Sequence, residues 1–116
     1  MQEEKTNRDH RIATCIMAIP SGNVASYGQI ASAAGIPRGH RVVARFVKVQ
    51  NNYPKLPWHR VIRADGAPGF PIGSAQFIEQ ITRLKSEGVI LRNNKVDMAK
   101  HGWQPDLDFL LFHPDL

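Results

Sequence analysis

The 116-residue sequence predicts a mainly α fold, a winged helix-turn-helix, and three observations carry that reading. A short helix and a longer basic amphipathic helix follow each other with only a brief turn between them, the helix-turn-helix pattern. Apolar residues recur at helical spacing in two further segments on either side of the pair. Near the C-terminal end, Val89-Ile90-Leu91 and Lys95-Val96-Asp97-Met98 flank Asn93-Asn94, which reads as a small β-hairpin and would serve as the wing.

Taken in order, residues 8–19 form the first predicted helix, with Ile12, Cys15, Ile16 and Ile19 on one face. Pro20-Ser21-Gly22-Asn23 ends it with turn residues, and Val24-Ala25 is short and extended. Ser26 is suited to cap a second helix that runs through Gln29 to Ala34 and closes at Gly35. The third helix, about Arg38 to Gln50, begins where Pro37 sits. On it Arg38, Arg41, Arg45 and Lys48 share one stripe, while Val42, Val43, Phe46 and Val47 share an adjoining face. A solvated surface helix is the plainer reading, but a cationic stripe with no interleaved acid favours a polyanionic partner.

Residues 51–57 form a loop broken by Pro54 and Pro57, and Val61-Ile62-Arg63 is a candidate strand ended by Asp65-Gly66. GAPGFPIGS, residues 66–74, is a loop without the Gly-Lys-Ser/Thr signature of a phosphate cradle. Ser74 to Glu87 is the fourth predicted helix, with Phe77, Ile78, Ile81 and Leu84 on one face and Gly88 at its end. The tail carries Trp103, Phe109, Leu110, Leu111 and Phe112 and is expected to pack on the body, at a place the pattern does not give. No repeat or internal boundary appears, so residues 1–116 are expected to form one domain.

The chain is 42% hydrophobic and 22% charged, with 15 Lys and Arg against 10 Asp and Glu, a net charge of +5. No apolar run reaches membrane-spanning length, and the polar start MQEEKTNRDH does not resemble a secretory signal. A cytoplasmic, DNA-associated monomer is expected. One cysteine allows no internal disulfide, and neither CxxC nor HExxH is present, so no metal or cofactor is expected. Cys15 lies on an apolar helical face and reads as packed core rather than a nucleophile. Among five histidines only His59 sits in a dense polar motif. Paired with a carboxylate such as Glu87 it could orient a nucleophile, yet no Ser, Thr or Cys adjoins it. A structural histidine and a working one are both compatible with that spacing.

The motif around His59, Pro57-Trp58-His59-Arg60-Val61-Ile62, resembles the P-C-H-R-V active-site segment of the O6-alkylguanine-DNA alkyltransferases, with tryptophan in place of cysteine. That substitution is the signature of the alkyltransferase-like proteins. Residues 19–31, IPSGNVASYGQIA, are similar to the family's I-P-x-G-x-V-x-(S/T)-Y-G-x-(I/L)-A. Pro37-Arg38-Gly39-His40-Arg41-Val42-Val43 is similar to the start of its recognition helix, and Asp65-Gly66 and Glu87-Gly88 fall in family order. The resemblance covers roughly residues 8–91.

The resemblance implies a fold like the alkyltransferase C-terminal domain and a role for each matching residue. Tyr27 would crowd the phosphate beside the target nucleotide and help rotate it outward, with Ser26 and Gly28 beside it at the DNA. Arg41 would enter the base stack from the minor groove, and Arg38, Arg45 and Lys48 would meet the backbone. Trp58 takes the place of the alkyl acceptor, and His59 and Glu87 match the pair that activates the cysteine through water. Tyr27, Val47, Pro57, Trp58, His59, Val61, Pro71 and Ile72 would line the lesion pocket.

Four departures stand out. Ala44-Arg45-Phe46 replace small residues after the recognition arginine, Gln50 replaces a hinge asparagine, the stretch from Gly66 to Glu87 is about two residues longer than in the active human-type pattern, and Pro71 and Ile72 stand where tyrosine and serine are common. The implied function is a non-enzymatic sensor that binds O6-alkylguanine in duplex DNA, flips it, and marks it for nucleotide excision repair proteins. A residual alkyltransferase or glycosylase, and a sequence-specific winged-helix regulator, are the other two classes.

Overall fold

The computed structural model describes residues 2–49 and 53–105. Helix α1 spans Gln2–Met17, strand β1 Ala25–Ser26, α2 Tyr27–Ala33 and α3 His40–Val49. A 3-10 turn at Trp58–Arg60 leads into β2, Val61–Ile62. Then come α4 (Ala75–Ser86), β3 (Leu91–Arg92), β4 (Lys95–Val96) and α5 (Met98–His101). Helix α1 starts earlier than its apolar pattern suggests, because its first turns consist of polar helix formers that leave no periodic trace. It also ends two residues sooner, with Ala18 and Ile19 in tightened i→i−3 bonds ahead of Pro20.

The apolar stripe of α1 packs on α2 and α3. Ile12, Cys15, Ile16 and Ile19 meet Ile30, Ala31 and Ala34, then Val43, Phe46 and Val47, in one core that Leu56, Val61 and Trp103 complete. Arg11 adds a polar tie, its Nε donating to the Ala34 carbonyl at 3.0 Å. A second core holds Val24, Ile62, Leu84, Val89 and Val96. The two cores meet at a parallel pair, β1 with β2, in register Ala25 to Val61 and Ser26 to Ile62. Successive strand side chains point to opposite faces, so Val61 enters the first core and Ile62 the second.

Several boundaries differ from expectation for identifiable reasons. The turn between α2 and α3 runs from Ala34 to Gly39, six residues rather than about three, and Arg38 lies before α3 instead of on it. Arg38 has φ 59°, outside the helical region, and the Gly39 N–H closes a turn onto the Ile36 carbonyl at 2.9 Å. A Cβ at Gly39 would collide with Ile36, so the close approach that forms this turn needs glycine. In α4, Phe77 and Leu84 are buried as expected, but Ile78 is 56% exposed and Gln80, between them on the stripe, is fully buried. Its Nε2 donates to the carbonyls of His59 (3.1 Å) and Val61 (2.9 Å), acceptors a second isoleucine would leave bare.

The hairpin forms as its pattern suggests, with Asn93 and Asn94 both at positive φ (52° and 62°), the backbone of a two-residue primed turn. Beyond it, Asp97 caps α5 through bonds from the amides of Ala99 and Lys100. The chain then returns to Val24, with Trp103 N–H donating to its carbonyl at 2.7 Å. Buried His101 accepts from the Ile90 amide on Nε2 at 3.1 Å and donates from Nδ1 to the Gly22 carbonyl at 3.0 Å. The tail therefore docks as far as Pro105 along the edge beside β1. Gln50 and the Phe109–Phe112 cluster lie outside the described residues.

Candidate nucleic-acid interface

Helix α3 and the turn before it present the cationic surface, with the start of α2 beside them. Ser26 caps α2, its Oγ accepting from the Gln29 amide at 3.0 Å, so the Ser26 side chain is engaged in holding Tyr27 at the first helical position. Gly28 is exposed one residue on. Helix α3 buries Val43, Phe46 and Val47 and leaves Arg41, Arg45 and Lys48 exposed on its opposite stripe. Arg38 is exposed at the entry to the helix, so the ridge has three helical cations and one from the turn.

Tyr27 itself is buried, 7% exposed, and its hydroxyl has no hydrogen-bond partner among the described residues. Burial pushes the phenol up to about 12, against a small opposing pull from Arg63. Gly69 covers it, and any Cβ there would collide with the Tyr27 hydroxyl. The 66–74 loop thus closes directly over the start of α2.

The Trp58–Arg60 turn is held from beneath by one carboxylate. Glu87, the C-terminal cap of α4, accepts from His59 Nε2 at 2.8 Å, from Arg60 Nη2 at 2.7 Å and Nε at 3.0 Å, and from the Gly22 amide at 3.4 Å. Arg60 Nη1 reaches on to the Ile19 carbonyl at 2.8 Å. Burial raises the Glu87 carboxyl, but the hydrogen bonds from Arg60 and His59 outweigh it and hold the group at about 2. Burial dominates at His59 and lowers its imidazole below the usual range, with Arg60 and Arg83 adding to the shift and Glu87 opposing it. A neutral His59 donates through Nε2 to Glu87, which leaves Nδ1 an acceptor with no partner among the described residues.

Trp58 is half-buried above this frame. Phe70 of the loop meets it edge to face, with centroids 5.5 Å apart and planes at 79°. The Arg83 guanidinium of α4 lies 5.6 Å from its ring centroid. Lys48 Nζ, from α3, lies 5.7 Å from the Phe70 centroid. Phe70 and Arg83 are neighbours that the motif gives no hint of. The loop pattern instead points to Pro71 and Ile72, and both are exposed, Ile72 by 85%. Val47 and Val61 are buried in the main core, and Pro57 is half-buried.

The likeness to known proteins extends along most of the chain: residues 7–89 match the family model of the 6-O-methylguanine DNA methyltransferase DNA-binding domain. A DNA base-flipping protein of Escherichia coli is 32% identical over 107 residues, covering 88% of this chain and 81% of that protein. The alkyltransferase-like protein 1 of Schizosaccharomyces pombe is 32% identical over 100 residues, covering 82% of this chain and 93% of its own length. The chain belongs to the alkyltransferase-like family. Its fold agrees: the crystal structure of S. pombe Atl1 in complex with damaged DNA containing O6-carboxymethylguanine superposes with a TM-score of 0.78. That match covers 90% of this chain and 98% of Atl1 at 30% identity.

Within the alkyltransferase-like family's fold, the expected pair His59 and Glu87 is in hydrogen-bond contact and Trp58 stands immediately before it. Cys15, fully buried in the α1 stripe, is far from a nucleophile's setting, since burial pushes its thiol up to about 11 despite Arg11 nearby. Among the described residues no cluster of histidine, cysteine and carboxylate could hold a metal, and no helix is long and apolar enough to cross a membrane.

Proposed function

We propose that this protein is a non-enzymatic DNA damage sensor. It binds O6-alkylguanine in duplex DNA from the minor groove, rotates the base out of the stack, and holds the complex as a mark for nucleotide excision repair proteins. The observation that carries the reading is Trp58: an indole stands at the alkyl-acceptor position inside a frame whose His59 and Glu87 are still paired at 2.8 Å. The indole nitrogen's lone pair is tied up in the aromatic ring and its N–H only donates, so Trp58 is no substitute for a thiolate, and the one thiol is sealed in the core. The names of the E. coli and S. pombe relatives, and the damaged DNA bound to Atl1, support the same role.

In this reading Arg41 fills the space the flipped base leaves, and Tyr27 acts at the adjacent phosphate. Ser26 and Gly28 border that contact, Arg38 and Arg45 supply cations along the backbone, and Lys48 stands at the end of the ridge that faces Phe70. Flipping costs a few kcal/mol of lost stacking and pairing, less for a base that already pairs poorly. Burying the adduct against Trp58 and the loop returns about 0.8 kcal/mol per methylene, which is what separates damaged from normal guanine. The protein acts as an intracellular monomer without a cofactor.

The test is a titration of matched duplexes carrying guanine or O6-methylguanine at one position, with a label on the methyl group. Tighter binding of the modified duplex, with the label and the base both retained in the DNA, is the expected result. Label on the protein would indicate an alkyltransferase, a freed base a glycosylase, and equal binding to both duplexes with preference for one sequence a regulator. Each of those outcomes would overturn the sensor reading.

A further inference from the structure

Four side chains from four different elements form a continuous row at the site: Lys48 of α3, Phe70 of the 66–74 loop, Trp58 of the 3-10 turn and Arg83 of α4. The steps are 5.7, 5.5 and 5.6 Å. Two rings in contact are thus capped by a cation at each end. Arg83 shares its charge with Glu79, 2.8 Å away and one helical turn earlier. Lys48 has no carboxylate partner among the described residues, so its charge is available to whatever lies against Phe70.

We infer that Lys48, assisted by Arg83, makes this site select O6-alkylguanine adducts whose alkyl group ends in a carboxylate over neutral adducts of the same size. The inference rests on the sensor reading and adds the chemical class of adduct to it. An adduct anchored at guanine O6 and directed at position 58 ends against Trp58 and Phe70, where the local charge is the Lys48 ammonium and the Arg83 guanidinium. An aromatic wall alone gives a carboxylate no compensation for lost hydration. The DNA phosphates on either side repel it further, because a flipped nucleotide brings its backbone with it. A pocket of rings alone therefore rejects an acidic adduct. Cations at both ends of the ring row reverse the preference, since each sits within Coulombic reach of the rings that the adduct touches.

The experiment compares duplexes containing O6-carboxymethylguanine and O6-carbamoylmethylguanine. These adducts have nearly the same shape and differ by one negative charge. Wild-type protein is expected to bind the acid more tightly than the amide, by roughly two- to five-fold at low salt, the range of a solvent-accessible ion pair. Lys48→Met keeps the aliphatic stem over Phe70 and removes the charge, and should bring the acid-to-amide ratio to one or below. Lys48→Arg should keep the ratio above one. Because both duplexes carry the same phosphates, any general loss of DNA affinity in Lys48→Met cancels in the ratio. The wild-type preference should also shrink between about 50 and 300 mM salt as screening sets in.

A wild-type ratio of one or less, or a ratio unmoved by Lys48→Met, overturns the inference while leaving the sensor reading intact. Failure of both modified duplexes to bind more tightly than unmodified DNA overturns the sensor reading and the inference with it.

Discussion

Tyr27 separates folding from binding more cleanly than any other residue of the site. Its hydroxyl is buried beneath Gly69 and bonded to nothing among the described residues, so it gives the folded chain no hydrogen bond to lose. Tyr27→Phe should therefore leave the urea midpoint unchanged or raise stability by up to about 1 kcal/mol. The same substitution should weaken binding to modified DNA, where the hydroxyl is proposed to act at a phosphate. Unfolding curves and a DNA titration on one variant check both halves. Gln80 is the opposite case, a residue sealed in the interior with a large structural share. Gln80→Leu keeps the volume in the core but removes the donor to the His59 and Val61 carbonyls. It should cost about 2–3 kcal/mol in urea unfolding, the penalty of leaving buried acceptors unpaired.

At the scale of elements, α3 serves two surfaces at once. Its apolar stripe fixes the helix on α1 and α2, and the ridge of Arg41, Arg45 and Lys48 is left for a polyanion. Binding to duplex DNA should fall as salt rises, and Arg45→Ala should reduce the slope of log K against log salt by about one, the release of one phosphate's counterions. A slope identical to wild type would remove Arg45 from the contact. Helix α4 also has two ends with separate tasks. Ser74 caps its start through the Phe77 amide, and Glu87 at its end gathers His59, Arg60 and the Gly22 amide. The Trp58–Arg60 turn is therefore positioned by the far end of a helix that begins only after the whole 66–74 loop.

The whole molecule registers that clasp as a dependence of stability on pH. His59 has its proton affinity lowered by folding, so the unfolded chain binds protons more readily near pH 6.5. The contribution is present above that pH and is lost as pH falls from about 6.5 toward the folded value. Glu87 is ordinarily near 4.5 and is held at about 2, so its contribution is present above about 4.5 and is lost between there and about 2. Both groups work in the same direction, and stability should decline on acidification through two windows. Urea midpoints measured from pH 7.5 down to 3 should show both in the wild type, and Glu87→Gln should flatten the lower one. A midpoint that rises on acidification would contradict the geometry of the clasp.

Much of this molecule is legible in its sequence, and the reason is local. The apolar stripes of α1 and α3, the Ser26 cap and the Asn93-Asn94 turn depend on residues within a few positions of each other, and each formed as its pattern indicates, whereas the α4 stripe did so only in part. The Trp58 motif is likewise legible, because it is a run of consecutive residues whose chemical types do not depend on the surroundings. What tertiary structure alone decided are relations between distant segments. These are the parallel pairing of β1 with β2, the return of Trp103 to Val24, the choice of Gln80 over Ile78 for the interior, and the row from Lys48 through Phe70 and Trp58 to Arg83. No periodicity encodes which ring meets which cation across tens of residues. That choice belongs to packing, where shape and the satisfaction of buried polar groups select among many arrangements equal in local propensity.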